Sequence, residues 1–528
     1  MLSSNLPMTA GGLGPISNLF SVVALVEGWI AEVVTENLGQ QETILTHHDR
    51  PSTIALNAVS LAFGVTANLS LLMNFTGRIR YNYSQAISIS CFYIASIILI
   101  VITAKEKAGS FDSMVEKGLQ VYFTQAYWSA IITAAMYFMC GVCLTWNEIG
   151  HLLKLYPASF ILTGPQRSFM LQTLGIVIWL AGGAGMFARI EGWTYANALY
   201  YCDVTVLTIG FGDFVPTQAL GRALVMPYAL IGLLFVGLVV ASVRTLMLSA
   251  TREKQSVNTA ERMRRHKVKS VKGKTLSGED SFNLMRKIHR RAKRRGMWVL
   301  LAFTAIIFFL FWLVGALIFS SLEGWTYLEG VYFCSLCLFT IGYGDFVPTK
   351  PGSKAFFVAW SLLAVPMMTI LISSLGDTII AGVMIFTDVL GDLTLKNITT
   401  ISRPTPDVDF LNLSYHKVIS EMESQNTMAD SLTVQETDQE FDRDLEQEIY
   451  LVDAIQSVLY DMRFHKSKKY SYEEWNRLEH DLDTQFDWLG QASPIRFPVN
   501  EPTMLLRLYW GSLKEHLDAR QRKYSKVR

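Results

Sequence analysis

The sequence predicts an all-α polytopic membrane protein of about eight transmembrane helices with two re-entrant loops and a cytoplasmic tail. Three observations carry that expectation. Of the 528 residues, 51% are hydrophobic and 17% charged, with a mean hydropathy of +0.28, whereas soluble domains run near 25% charged. Eight apolar windows approach or meet the roughly 20 residues that a helix needs to cross a hydrocarbon core about 30 Å thick. One segment of 27 residues recurs in register further along the chain. This composition excludes a wholly soluble or disordered protein. With 46 Lys and Arg against 45 Asp and Glu, no overall basic excess invites nucleic acid. Six cysteines are too few for a disulfide-built scaffold, and the opening residues lack the pattern of a cleaved secretory signal.

The windows are residues 6–30, 52–75, 85–104, 119–146, 168–188, 221–248, 297–322 and 353–386. The first is the weakest, because Gly11, Gly12, Gly14, Pro15 and Glu27 interrupt it. Basic residues favour the cytoplasmic side of short loops. With the N-terminus inside, the cytoplasmic loops are 76–84 (Arg78, Arg80), 147–167 (Lys154, Arg167) and 249–296. The last decides the orientation, since residues 244–295 hold 17 Lys and Arg against four Asp and Glu. The predicted outer loop 32–50 has one basic residue. The next, 105–118, fits less well, with three lysines balanced by Glu106, Asp112 and Glu116. Both termini are therefore expected in the cytoplasm. From 387 onward the long apolar runs stop, acids gather over 421–448, and the end is basic.

The repeat is the central feature, and repeats come before any choice of fold. EGWTYANALYYCDVTVLTIGFGDFVPT at 191–217 aligns without a gap onto EGWTYLEGVYFCSLCLFTIGYGDFVPT at 323–349, identical at 16 of 27 positions. The register continues beyond it, pairing Arg222 with Lys354 and Ser242 with Ser374. Each copy lies between two windows. Residues 196–207 and 328–339 are apolar and aromatic but only half a membrane long, so each can dip in as a helix and return as extended chain. Irregular backbone at that depth is tolerated where it is buried in protein or lines a wet cavity.

The returning segments are Thr208, Ile209, Gly210, Phe211, Gly212, Asp213 and Thr340, Ile341, Gly342, Tyr343, Gly344, Asp345. Paired glycines permit backbone conformations that aim successive carbonyls at a dehydrated cation, and the Thr hydroxyl adds an oxygen. The intervening aromatic can pack outward and hold the loop at its diameter. These copies resemble the potassium-channel signature TVGYG, with Ile for Val in both and Phe for Tyr in the first. Four spans followed by two span-pore-span units resemble the fungal two-pore outward-rectifier potassium channels of the TOK type. That resemblance covers about residues 6–390, including LGPISNLFSVVALVEGW. It implies potassium ions as the only metal at the two filters, and outward current at potentials positive to the potassium equilibrium potential.

Other features carry weaker signals. Glu191 and Glu323, just before each Gly-Trp, can gather cations at a pore mouth or simply be solvated at the interface. Gly232, Gly237, Pro366 and Gly376 can be bend points of a gate, or packing positions as in many membrane helices. The 119–146 window contains no Lys or Arg, so the four N-terminal helices form no charged voltage sensor. Cys140-x-x-Cys143 and Cys334-x-x-Cys337 lie in apolar runs and read as packing thiols.

The expected organisation is four helices over 1–167, a first span-pore-span unit at 168–248, a basic cytoplasmic linker at 249–296, a second unit at 297–386, and a tail at 387–528. The linker can set topology or also touch anionic lipid. Four loops are needed around one filter axis and one chain supplies two, so a homodimer is expected, most simply in the plasma membrane. Conduction is passive, with no catalytic chemistry and no cofactor. A transporter of similar units, or a non-conducting scaffold whose tail binds partners, are the competing readings. The paired filter glycines argue against the transporter, and conduction after loss of the tail would argue against the scaffold.

Overall fold

The computed structural model describes residues 2–35, 42–47, 49–75, 80–117, 119–153, 164–271, 277–394, 435–464, 468–481, 486–490, 493–496 and 500–525. Eight of its helices are long and apolar enough to cross a membrane, and the chain is an integral multi-pass membrane protein. It divides into two compact units, residues 1–251 with 299–377, and residues 252–298 with 378–528.

The first unit begins with α1 (Leu2–Val26), α2 (Pro51–Phe75), α3 (Tyr81–Glu106), the short α4 (Asp112–Glu116) and α5 (Gln125–Leu152). The glycines that interrupt α1 have a physical reason. Some 67% of its spanning window is buried inside the protein, so it faces helices rather than lipid. Its glycines allow that closeness: a Cβ at Gly14 would fall on the Asn68 side chain, and one at Gly11 on Met170. Small residues at such contacts are the usual means of bringing membrane helices together. Interhelical hydrogen bonds add to them, with Ser60 donating to the Ala95 carbonyl at 2.9 Å and Ser96 to that of Ala134 at 2.9 Å. Phe92, Leu99, Tyr137 and Leu144 fill the space between.

One element was not anticipated in an otherwise helical chain. The predicted outer loop forms strands β1 (Ile30–Thr35) and β2 (Glu42–Thr46), and β3 (Val121–Phe123) completes an antiparallel sheet of order β2-β1-β3. Val33 pairs with Ile44, and Ala31 with Tyr122. Both strands of the first pair are β-branched and short, a pattern that hydropathy windows for helices overlook.

Then follow α6 (Gly164–Glu191), α7 (Tyr195–Val206), α8 (Ala219–Val271), α9 (Gly278–Glu323), α10 (Tyr327–Leu338) and α11 (Pro351–Thr394). The half-length α7 and α10 fall on the repeated segments. Helices α8 and α11 run unbroken through Gly232, Gly237, Pro366 and Gly376. A Cβ at Gly232 would press on Val206, which makes it a packing position, whereas Gly237 and Gly376 have open space.

The second unit joins the basic linker to α12 (Gln435–Phe464), α13 (Tyr472–Asp481) and α14 (Glu501–Ser525). Its core gathers Phe282, Met285, Trp475, Leu478 and Trp488. Two linker arginines are held there. Arg286 forms a two-pronged pair with Glu501, one arm at 2.7 Å, and also donates to the Tyr470 carbonyl at 2.8 Å. Arg264 binds Glu261 at 2.8 Å, and Arg496 reaches the same carboxylate at 3.1 Å. The linker and the tail helices thus belong to one folded body. Of the acidic stretch 421–448, residues 435–448 lie in α12, and residues 421–434 lie outside the described residues.

Candidate ion-conducting pore

Each filter follows a 12-residue helix, about 18 Å long and so about half a membrane. Thr194 caps α7 and Thr326 caps α10. The chain then leaves the helix through an unusual residue. Thr208 has φ 58° and Thr340 φ 52°, the left-handed region that is costly for a β-branched side chain. Hydrogen bonds hold that conformation: the Thr208 and Ile209 amides donate to the Thr205 and Val204 carbonyls at 3.1 and 3.0 Å. The Thr340 and Ile341 amides do the same to Cys337 and Leu336 at 3.0 and 2.9 Å.

The sign of φ alternates from there. Gly210 and Gly212 have φ 69° and 86°, Gly342 and Gly344 52° and 78°, while the residues between them stay out of the positive region. Alternating hands turn successive peptide planes so that carbonyls line one side of the strand, the arrangement a cation filter needs. Exposure alternates in step: Thr208, Gly210 and Gly212 are exposed, Ile209 and Phe211 buried. The two strands lie side by side. A Cβ at Gly342 would fall on the Ile209 carbonyl oxygen and one at Gly344 on that of Phe211, so only glycine fits.

The surroundings repeat as well. Phe214 meets Trp193 edge to face at 5.4 Å and 84°, and Phe346 meets Trp325 at 5.3 Å and 83°. Tyr200 stands beside Asp213, and Tyr332 beside Asp345. Both aspartates are exposed at the ends of the filters. Glu191 and Glu323 are engaged rather than free at a mouth. Glu191 accepts from the Thr217 amide and hydroxyl, each at 2.8 Å, and Glu323 from those of Thr349 at 2.9 and 2.6 Å. Each carboxylate straps the helix before the pore loop to the chain that leaves it.

Sequence reading did not single out three further residues. Lys354 reaches from α11 to the Asn197 side chain at 3.3 Å and sits 4.6 Å from the Phe214 ring centre. Asp203, fully buried on α7, accepts from the Ser361 hydroxyl at 2.5 Å. Glu27, at the end of α1, accepts from the Ala196 amide at 2.6 Å. A carboxylate inside an apolar run was the signal for Asp203 and Glu27; nothing local marks Lys354. Among the described residues, no group of three or more His, Cys, Asp and Glu could hold a metal ion.

The family model described as "Ion channel" matches residues 174–249 and again 306–381. Each match takes in one copy of the repeat, so both copies are similar to the ion-channel family. Among curated proteins, the chain is similar to Potassium channel subfamily K member 12 of Homo sapiens, 28% identical over 181 residues, which is 32% of this chain and 39% of that protein. It is similar to member 1 of Mus musculus at 28% over 190 residues (35% and 49%), and to member 10 of Mus musculus at 24% over 192 residues (35% and 32%). The chain spans at most about half the length of these relatives. Its likeness is to potassium channels with two pore domains.

Proposed function

We propose that the chain forms a potassium-selective channel, a homodimer whose four filter strands close one pore. The observation that carries this reading is the pair of strands with matching φ alternation, pressed together at glycines. Potassium ions exchange water for the carbonyls of Thr208–Gly212 and Thr340–Gly344, then leave by mutual repulsion.

The uncovered flank of the second filter supports the homodimer. Phe211 is 7% exposed and stacks on Phe333 at 5.7 Å, whereas Tyr343, its counterpart, is 70% exposed. The repeat places Tyr201 where Phe333 stands, so Tyr343 would meet Tyr201 of the partner subunit, phenylalanine packing on phenylalanine and tyrosine on tyrosine. Charge follows the same logic. Lys354 lies against Asn197, and Arg222 would lie against Glu329 of the partner subunit.

The fungal resemblance supports outward rectification. Without sensor charges, ion occupancy of the filter itself biases the gate, so activation follows external potassium rather than Lys154 or Arg167. The plasma membrane is the site that fits, with both termini cytoplasmic. Arg290, Arg291, Lys293, Arg294 and Arg295 are exposed just before the apolar part of α9, where anionic lipid head groups would meet them. The reversal potential of the expressed chain tests the reading. It should follow external potassium by about 58 mV per decade and vanish with Gly342→Ser. Reversal indifferent to potassium, or no current at normal surface level, refutes it.

A further inference from the structure

We infer that Glu27 is a positioning residue for the first filter, tying the four N-terminal helices and the outer sheet to pore helix α7. The inference rests on the channel reading above. Its source is a difference between copies whose Trp–Phe and Glu–Thr contacts match. Helix α10 is capped by its own residues: the Glu329 amide donates to the Thr326 hydroxyl at 3.4 Å, and the Glu329 carboxylate accepts from the Thr326 amide at 2.8 Å. In α7 the corresponding position is Asn197, whose side-chain oxygen is taken by Lys354. Half of the capping box is therefore absent from the helix itself.

Glu27 brings a carboxylate from elsewhere, to amides later in the same turn than the one the box would satisfy. Its oxygen accepts from the Ala196 amide at 2.6 Å, with the Thr194 hydroxyl and the Tyr195 amide beside it. A carboxylate there satisfies donors that a helix start leaves unpaired and opposes the positive end of the dipole. From the other side, the Gln125 side chain donates to the Ala196 carbonyl at 3.3 Å. The first turn of α7 is thus gripped through both its donors and its acceptors.

The grip is firmly mounted. Trp29, fully buried, donates from its backbone to Asp49 at 2.9 Å and from its ring to the Ala24 carbonyl at 2.8 Å. The Thr124 hydroxyl holds the Gly28 carbonyl at 2.7 Å. A Cβ at Gly28 would collide with the His47 carbonyl beside β2, so this corner admits glycine. Helix α7 is short, and its last turn pins Thr208 and Ile209. A displacement of its start therefore reaches the first filter. The second filter has no such attachment among the described residues.

The test compares wild type, Glu27→Gln, Glu27→Ala, Glu27→Ala with Asn197→Glu, and Glu329→Ala in the full chain, at equal surface level. Glu27→Ala should lower the potassium-to-sodium permeability ratio about tenfold, Glu27→Gln less, and Asn197→Glu should restore it in part, by giving the same turn a carboxylate at the Thr194 amide. Glu329→Ala should reproduce the defect at the other filter. Wild-type permeability in Glu27→Ala, or a defect that Asn197→Glu leaves unchanged, overturns the inference. A wild type without potassium current sinks the channel reading alone, so amide exchange is measured too. In the purified protein the amides of 195–198 should exchange faster in Glu27→Ala but not in Glu191→Ala, and unchanged exchange overturns the cap whatever the current.

Discussion

Truncating Phe211 to alanine removes the largest side chain that supports the first filter. The ring is 7% exposed, stacked on Phe333 at 5.7 Å and tilted against Phe357 at 5.4 Å. Those partners are anchored in turn, Phe333 against Phe319 at 5.0 Å and Trp325 at 5.2 Å, so the site cannot collapse freely onto the vacated space. A buried Phe→Ala change under these conditions costs about 3–5 kcal/mol. If that packing opposes collapse of the filter, about 3 kcal/mol moves the balance between conducting and collapsed forms by about 100-fold. The assay is the potassium-to-sodium permeability ratio at matched surface expression, and a collapse toward unity is expected. Tyr343→Ala is the informative companion. In an isolated chain its ring is 70% exposed, and its loss would be nearly neutral. In a closed ring of two chains it should be as damaging as Phe211→Ala. Wild-type selectivity in Phe211→Ala refutes the packing argument, and a harmless Tyr343→Ala refutes the ring.

Three further outcomes follow from other contacts. Glu191→Ala and Glu323→Ala should each reduce selectivity while Glu→Gln, which keeps an acceptor for Thr217 or Thr349, should not; single-channel recording at low and high potassium checks this, because a mouth-charge role would instead give a Gln defect that fades as salt rises. Glu501→Ala leaves Arg286 without its partner, at 12% side-chain exposure, and should destabilise the linker and tail unit by about 3–5 kcal/mol, seen as proteolysis within 252–298 at unaltered ion selectivity. The Arg264, Arg496 and Arg265 guanidiniums around Glu261 hold its carboxyl well below the usual carboxylate range. A depressed folded value means that its stabilisation is complete above the unfolded value of about 4.3 and is lost as pH falls below it. Thermal unfolding of the purified chain should therefore drop between pH 5 and about pH 3, and Glu261→Gln should flatten that step.

Much of this molecule was legible in its sequence. The glycine positions of the candidate filters were, because a repeated TIG-aromatic-GD needs no tertiary information to place them, and the described backbone has positive φ at each. The spans were legible because lipid imposes one length and one polarity on every crossing helix. The glycines that interrupt the first window were themselves informative, since α1 packs closely on other helices and 67% of its spanning window is buried. What could not be read was whatever depends on distant partners. Glu27 is 169 residues from the amide that it caps, and Lys354 is 157 from Asn197. No local spacing encodes either. The linker was read as a basic loop that sets topology or also touches anionic lipid, because charge was counted without knowing that Arg286 would face Glu501, 215 positions away. The outer strands escaped notice because they are only six, five and three residues long.

The two pore helices are anchored by different means, and in a ring of four strands from two chains the like-anchored ones face each other across a diagonal. Tension arriving through the outer sheet would then act on opposite quarters of the ring and spare the other two. A circular aperture loaded in that way becomes oval: one carbonyl pair separates while the perpendicular pair closes in. If the proposed ring forms, an ion that fits the round shape would be poorly held by the oval one, and a two-sided pull would weaken conduction without any helix swinging across the pore.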